Sequence, residues 1–304
     1  MNLPTGIASR PPARAMAAAA APPRLADCRL GTWQLTQVIH RGPWMTLFRA
    51  RPLKATDGPG CYLVKVATAR GAEQEVARAM IAREETVGAA VSHANLVADL
   101  ATHVGRESAY VVRPYLEGLT LRQWLERGRE PPAIATALWI IRQMAEALAA
   151  LHRAGWLHGQ LRPEHVLVSP QGHATLIDLA LARRLGTDEC AAGLGQPASL
   201  AYLSPESFSA SRRVTAVSDT YCLGLLLYEL VAGRLPFDRA DPPHLAELHR
   251  SQAAPDVRAH RPEAPAELWQ LLRQMLAKEP LRRPSDDELV RWLTELEIAA
   301  LAGS

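Results

Sequence analysis

Two neighbouring stretches concentrate the residues able to do chemistry. One is His158-Gly159-Gln160-Leu161-Arg162-Pro163-Glu164-His165, running into the apolar Val166-Leu167-Val168; the other is Thr175-Leu176-Ile177-Asp178-Leu179-Ala180. Gln160 carries a neutral amide, which cannot take up a proton near pH 7. His165 adds an imidazole, whose ring nitrogens can bind a metal or exchange a proton. Asp178 adds a carboxylate at the end of an apolar strand pattern. The chain strongly favours Arg and has only three lysines, Lys54, Lys65 and Lys278, yet Lys65 lies inside the apolar run Cys61-Tyr62-Leu63-Val64-Lys65-Val66. An ammonium kept there needs an anionic partner. Arg113 raises the same question at the end of Tyr110-Val111-Val112.

The elements that must position these groups divide the chain in two. With 304 residues and 48 % hydrophobic content, the protein can bury a large core or two lobes. A net charge of +3 is close to balanced and implies no polyanion-binding field, so no nucleic-acid partner is expected. Cys28, Cys61, Cys190 and Cys222 form no C-x-x-C pair and read as reduced thiols of a cytoplasmic protein. The greasiest stretch, Leu223 to Leu227, is soon followed by Glu229, so no membrane insertion is expected. Residues 1–30, rich in Ala, Pro and Arg, read as a disordered tail.

From Trp33 the pattern is short strands: Trp33 to Ile39 alternates roughly in period two, and Leu47 to Ala50 follows a turn. Glu73 to Val91 reads as a helix. The later chain is helical, with a short helix from Leu119 to Arg127 and a long one from Ala133 to Ala154. The long helix carries a stripe of Leu138, Ile141, Met144, Ala145, Leu148 and Leu151. Ser218 is the predicted N-cap of a buried helix running to Val231, and Ser285-Asp286-Asp287-Glu288 opens the last one as a capping box.

Taken together, these residues resemble the protein kinase family, most of all its bacterial Ser/Thr branch. The stretch from His158 is similar to H-R-D-L-x-x-x-N, Asp178-Leu179-Ala180 to D-F-G, and Val64-Lys65 to V-A-I-K. Ser204-Pro205-Glu206 resembles A-P-E, and Ser218-Asp219-Thr220-Tyr221-Cys222-Leu223-Gly224 continuing to Pro236-Phe237 resembles the central buried helix. The resemblance covers roughly Gly31 to Leu301. It implies an α+β, bilobal fold: a kinase-like N-lobe over 31–115, with a small antiparallel sheet and one helix, and a mainly helical C-lobe over 116–302. Lys65, Glu84, Asp178, Gly42 and Tyr115 then fall on nucleotide-binding positions, and Asp178 on the metal position. His158, Asp219, Glu206 and Arg283 fall on scaffold positions.

The same resemblance marks what is changed. The base position holds Gln160, the second metal ligand position His165, and the arginine before the base is Gly159. Only Gly42 remains of the three glycines of the phosphate loop, and Pro43 removes a backbone donor. Gly88 and Leu179 are undersized where the family packs large apolar side chains, predicting a weakly held helix. Arg113 falls at the back of the adenine pocket. It is expected either to pair with Glu84 or Asp178 and occupy part of that pocket, or to point to solvent. The expected function is that of a pseudokinase acting through a protein partner as signalling adaptor or allosteric regulator. The alternatives are a weak or atypical ATP-dependent Ser/Thr kinase and a nucleotide sensor that binds ATP, with or without Mg²⁺, and does not hydrolyse it.

Overall fold

The first long strands form from β-branched and aromatic residues, with Leu35, Met45 and Ala50 buried while Gln37, Ile39 and His40 stay exposed. The structure, a computed structural model, describes residues 28–55, 60–128, 130–187, 200–208, 213–237 and 241–302. Strands β1 (Arg29–Leu30), β2 (Trp33–Arg41), β3 (Met45–Pro52), β4 (Tyr62–Ala67), β5 (Ala101–Val104) and β6 (Ala109–Pro114) make one antiparallel sheet in the order β1-β2-β3-β4-β6-β5. Arg29 and Leu30, assigned to the tail by composition, pair with Gln34 and Trp33. Their strand is set by the Gly31 turn (φ 56°) that a neighbourhood rich in Ala and Pro conceals. Residues 1–27 lie outside the described residues.

Helix α1 (Gln74–Ala90) packs on β4, β5 and β6 through Ala77, Met80 and Ile81, while Val87 joins the core of the helical lobe. After it the chain crosses to the helical lobe. Leu96 bridges Leu176, and Asn95 Nδ2 donates to Gln143 Oε1 (2.9 Å) and to the Ala174 carbonyl (2.8 Å).

The helical lobe begins with β7 (Leu119–Thr120) and α2 (Leu121–Arg127), whose Thr120 and Gln123 form a complete capping box. Helix α3 (Ile134–Arg153) is long and apolar enough by composition to cross a membrane, but two-thirds of it is buried inside the protein. Its stripe packs against α4 (Ala216–Ala232) and α7 (Asp286–Ala302). Helix α4 is apolar all round and buried from Ser218 to Val231, as a helix at the centre of a core must be. A Cβ on its Gly224 would lie 2.9 Å from Met275 Cβ, so only glycine admits α6 (Ala266–Met275) this closely. Thr215, not Ser218, is the N-cap of α4. Ser218 is the third helical residue and accepts from the Thr215 amide at 3.0 Å.

Short strands β8 (Trp156–Leu157), β9 (Val166–Val168), β10 (Ala174–Leu176) and β11 (Arg183–Arg184) sit on this core. They form the sheet β10-β9-β7 and the pair β11-β8, and they hold the two chemical stretches at the boundary between lobes. Helix α5 (Pro242–Ser251) completes the lobe.

Candidate functional site

The loop between β8 and β9 is fixed from below by one carboxylate. Asp219, near the start of α4, accepts from the amides of His158 (2.7 Å) and Gly159 (2.9 Å) and from His152 Nε2 (3.0 Å). The other ring nitrogen of His152 faces Asp286 at 2.9 Å, and between two carboxylates its pKa rises to about 9, their hydrogen bonds outweighing burial. His158 is 1 % exposed and accepts from the Gln160 amide through Nδ1 (3.3 Å), so it is part of the loop's support. Gln160 follows within hydrogen-bond reach of His165: its carbonyl receives His165 Nδ1–H at 2.8 Å. Burial drives His165 down to a pKa of about 4 and keeps its ring neutral. Its Nε2 stands 4.0 Å from Asp178 Oδ2.

The polar heart of the cleft is a cluster of five charges. Lys65 Nζ lies 2.5 Å from Glu84 Oε1 and 3.1 Å from Asp178 Oδ2. Arg113, 2 % exposed, donates from Nη2 to Glu84 Oε2 (2.5 Å), from Nε to Asp99 Oδ1 (2.5 Å) and from Nη1 to the Ile177 carbonyl (3.0 Å). The solvent-facing alternative for Arg113 is thereby excluded. In the β4–β6 ladder Arg113 is opposite Leu63 and Val111 opposite Lys65, and opposed residues share a face, so arginine and lysine point into the same cleft. Burial pulls Lys65 down, but Asp178 and Glu84 more than offset it and the ammonium titrates above its ordinary value. Asp178 is opposed by its own burial, yet Lys65 holds it well below the usual carboxylate range. Asp99 is the member that sequence reasoning missed.

Above this cluster lies the turn that corresponds to a phosphate loop. The Gly42 amide is spent on the Met45 carbonyl (2.8 Å), Pro43 has no amide hydrogen, and the Trp44 carbonyl is tied to the amides of Thr68 (2.8 Å) and Ala69 (3.2 Å). Met45 is opposite Ala67, and Leu47 opposite Lys65, so Met45 and Leu47 face the cleft with the lysine. Met45 is buried in one cluster with Met80, Ile81, Val111 and Ala180, the residue two beyond Asp178. Tyr115 donates its amide to the Cys61 carbonyl (2.8 Å), and its ring is covered by the Arg49 guanidinium at 4.0 Å. Gly42 and Tyr115 therefore lie around the cleft without joining the charged cluster.

Further out, Arg283 grips Glu206 with two hydrogen bonds, 2.6 Å and 2.9 Å, both side chains fully buried. The Ser218 hydroxyl donates to the same carboxylate. Beside the loop, Arg122 joins Glu229 (3.0 Å), Glu164 (3.3 Å) and the Tyr202 hydroxyl. The sequence signal for this second network was the acidic Glu164 three residues beyond Leu161, which spacing alone does not tie to Arg122. Arg183 and Arg184 form β11, and the Arg184 guanidinium stacks over Trp156 at 4.7 Å.

The residues present do not fit Mg²⁺ with a nucleotide. One ligand position offers imidazole nitrogen, Asp178 Oδ2 is already bound by Lys65, and the turn above presents a methionine in place of free amides. Among the described residues no group of three or more His, Cys, Asp or Glu side chains is placed to hold a metal ion.

A curled antiparallel sheet with one helix, a helical lobe built on a buried central helix, and this cleft between them define the protein kinase fold. Residues 33–293 match the family described as protein tyrosine and serine/threonine kinase, and the chain belongs to it. It is 30 % identical over 256 residues to the probable serine/threonine-protein kinase PknB of Lactococcus lactis, covering 84 % of this chain and 40 % of the relative. The serine/threonine-protein kinase PkaA of Streptomyces coelicolor is 32 % identical over 274 residues, covering 85 % of this chain and 49 % of that protein. For PrkC of Bacillus subtilis the figures are 28 % over 201 residues, 66 % and 31 %. The chain thus spans less than half the length of these relatives.

Proposed function

We propose that this protein is a pseudokinase: a protein-kinase fold that works by binding a protein partner in the cytoplasm, as adaptor or allosteric regulator, and not by phosphoryl transfer. The observation that carries this reading is the state of the cleft. Arg113 fills the back of the cleft, takes the second oxygen of Glu84 whose first oxygen pairs with Lys65, and reaches the Ile177 carbonyl just before Asp178. Gln160 also removes the proton acceptor, and positioned acid–base catalysis is worth about 10²–10⁴-fold. The remaining charged side chains have structural work, since Glu206, Arg283 and Asp219 hold loops to the core.

Thermal unfolding with and without millimolar ATP, each with Mg²⁺ or Mn²⁺, tests the reading. The expected result is an unchanged midpoint. Nucleotide at about 100 times its dissociation constant would add about 2.7 kcal/mol. A shift of several degrees that disappears in Lys65→Ala overturns the nucleotide-free reading in favour of a sensor. Transfer of labelled phosphate to a protein substrate, above the level of Asp178→Ala, overturns it in favour of an atypical kinase.

A further inference from the structure

Two residues of the cleft stand outside the nucleotide-binding pattern and belong together. Gly88 lies one helical turn after Glu84 on α1, and Asp99 lies in the loop before β5. The Leu100 amide donates to the Val112 carbonyl at 2.8 Å, which extends the sheet by one residue and brings Asp99 alongside Arg113. A Cβ on Gly88 would sit 2.7 Å from Asp99 Oδ2, closer than real side chains approach. Glycine at this helical position is the condition for the carboxylate to enter. Asp99 Oδ1 takes Arg113 Nε, while Oδ2, packed on Gly88, has no hydrogen-bond partner among the described residues.

Each donor edge of Arg113 reaches a different element: Nε the loop before β5, Nη2 helix α1 through Glu84, and Nη1 the backbone of Ile177, immediately before Asp178. The planar guanidinium, with donors in a fixed fork, is suited to joining three such acceptors at once. Glu84 in turn receives Lys65 on its other oxygen. The small residue that sequence reasoning took as a sign of a weakly held helix therefore makes room for its fastening.

We propose that Gly88, Asp99 and Arg113 form a built-in latch that holds α1 against the sheet and against the Asp178 strand, in place of a bound nucleotide. The latch goes beyond the loss of catalysis. It makes the α1 face a permanently formed surface whose position does not depend on ligand, and it names Asp99 as the residue that positions Arg113.

Hydrogen–deuterium exchange of the full chain, read over 74–90 with α3 and α4 as internal references, tests it in two variants. Gly88→Ala is the sharper one. Alanine is the better helix former, so helix propensity alone predicts α1 amide exchange about fivefold slower. The latch predicts the opposite sign, about tenfold faster exchange over 74–90 with α3 and α4 unchanged, because the added methyl group expels Asp99. The second variant, Arg113→Met with Asp99→Asn, leaves Lys65 facing Glu84 and Asp178, and avoids stranding three carboxylates on one lysine. It should give the same acceleration confined to α1. Slower exchange in Gly88→Ala, or exchange within twofold of the unaltered protein in the double variant, overturns the latch. The latch rests on the nucleotide-free reading only in that an internal arginine holds the helix. Failure of that reading appears separately, as slower α1 exchange when Mg²⁺ and ATP are added to the unaltered protein.

Discussion

Replacing Arg283 by Met should lower stability by about 3–5 kcal/mol. Breaking a buried ion pair by removing one partner leaves the other charge uncompensated, which costs that amount. Glu206 would be left inside the protein with the Ser218 hydroxyl as its remaining side-chain partner. The carbonyls of Ala277 and Val217, each 2.9 Å from the guanidinium, would lose their donor too. At roughly 2–4 °C per kcal/mol for a chain of this size, the thermal midpoint should fall by about 10 °C. Calorimetry on Arg283→Met, Glu206→Gln and the double variant checks this. The double variant should recover part of the loss, since it leaves no isolated buried charge. A single-variant loss below about 1 kcal/mol would mean that water reaches Glu206 and that the pair does not fasten this segment.

The consequence reaches beyond stability. The Glu206–Arg283 pair, the Asp219 loop anchor and the Arg113 cluster are separate fastenings. They hold three parts of the kinase fold: the segment before α4, the Gln160 loop and α1. In an active enzyme such rigidity orients reacting groups. On the proposed reading, Gln160 and His165 do not serve transfer, and the same fastenings give a binding surface its fixed shape. That is the physical content of the proposed adaptor role.

How much of this could be read from the sequence depended on how local the signal was. The stripe of α3 follows from helical periodicity, which involves neighbours one turn apart. The central buried helix and the positions Lys65, Glu84, Asp178, Glu206 and Arg283 came from the resemblance to the kinase motifs. An inward Arg113, paired with Glu84 or Asp178, was one of two open possibilities, because a strand end does not reveal which way its last side chain points. Asp99 gave no signal. It is a single acid between Ala98 and Leu100, and its meaning depends on Gly88 and on a ladder bond from Leu100 to Val112. Met45 was hidden for a related reason. Strand β2 shifts register between Leu35 and Gln37 and again between Val38 and His40, so alternation counted from Trp33 does not predict which residues of the hairpin face the cleft. Ser218 looked like a helix cap because it precedes an Asp. The cap is Thr215, whose amide binds the Ser218 hydroxyl, and that hydroxyl serves Glu206 as well.

Stability should pass through a maximum near pH 6.5 and fall on both sides, with buried histidines setting both flanks. On the alkaline side stands His152, held between Asp219 and Asp286 with its pKa raised to about 9. A base with a raised folded pKa binds its proton more tightly when folded. Its contribution is complete below the unfolded value near 6.5 and is lost as pH rises through about 9. The difference between those values corresponds to roughly 3 kcal/mol. On the acid side stands His249, enclosed by Phe208, Phe237 and Tyr221, which burial pushes down to about 4. Between pH 6.5 and 4 the unfolded chain takes up this proton and the folded protein does not, so stability falls as pH is lowered, by a similar amount. His165 and His158, both lowered by burial, act in the same direction. Below about pH 4 the depressed carboxylates Asp219 and Glu206 steepen the loss, since each contributes only while ionised. Urea unfolding from pH 5 to pH 9.5 reads both flanks. His152→Gln should flatten the fall between pH 6.5 and about 8 and leave the acid flank, while His249→Leu should reduce the acid slope without abolishing it, because His165 and His158 remain. Above about pH 8 Lys278, lowered by burial to about 8, adds a rise that opposes the His152 loss. An alkaline flank unchanged in His152→Gln would mean that the imidazole is neutral between its two carboxylates. The brace joining α3, α4 and α7 would then be an ordinary hydrogen-bonded contact and not a charged one.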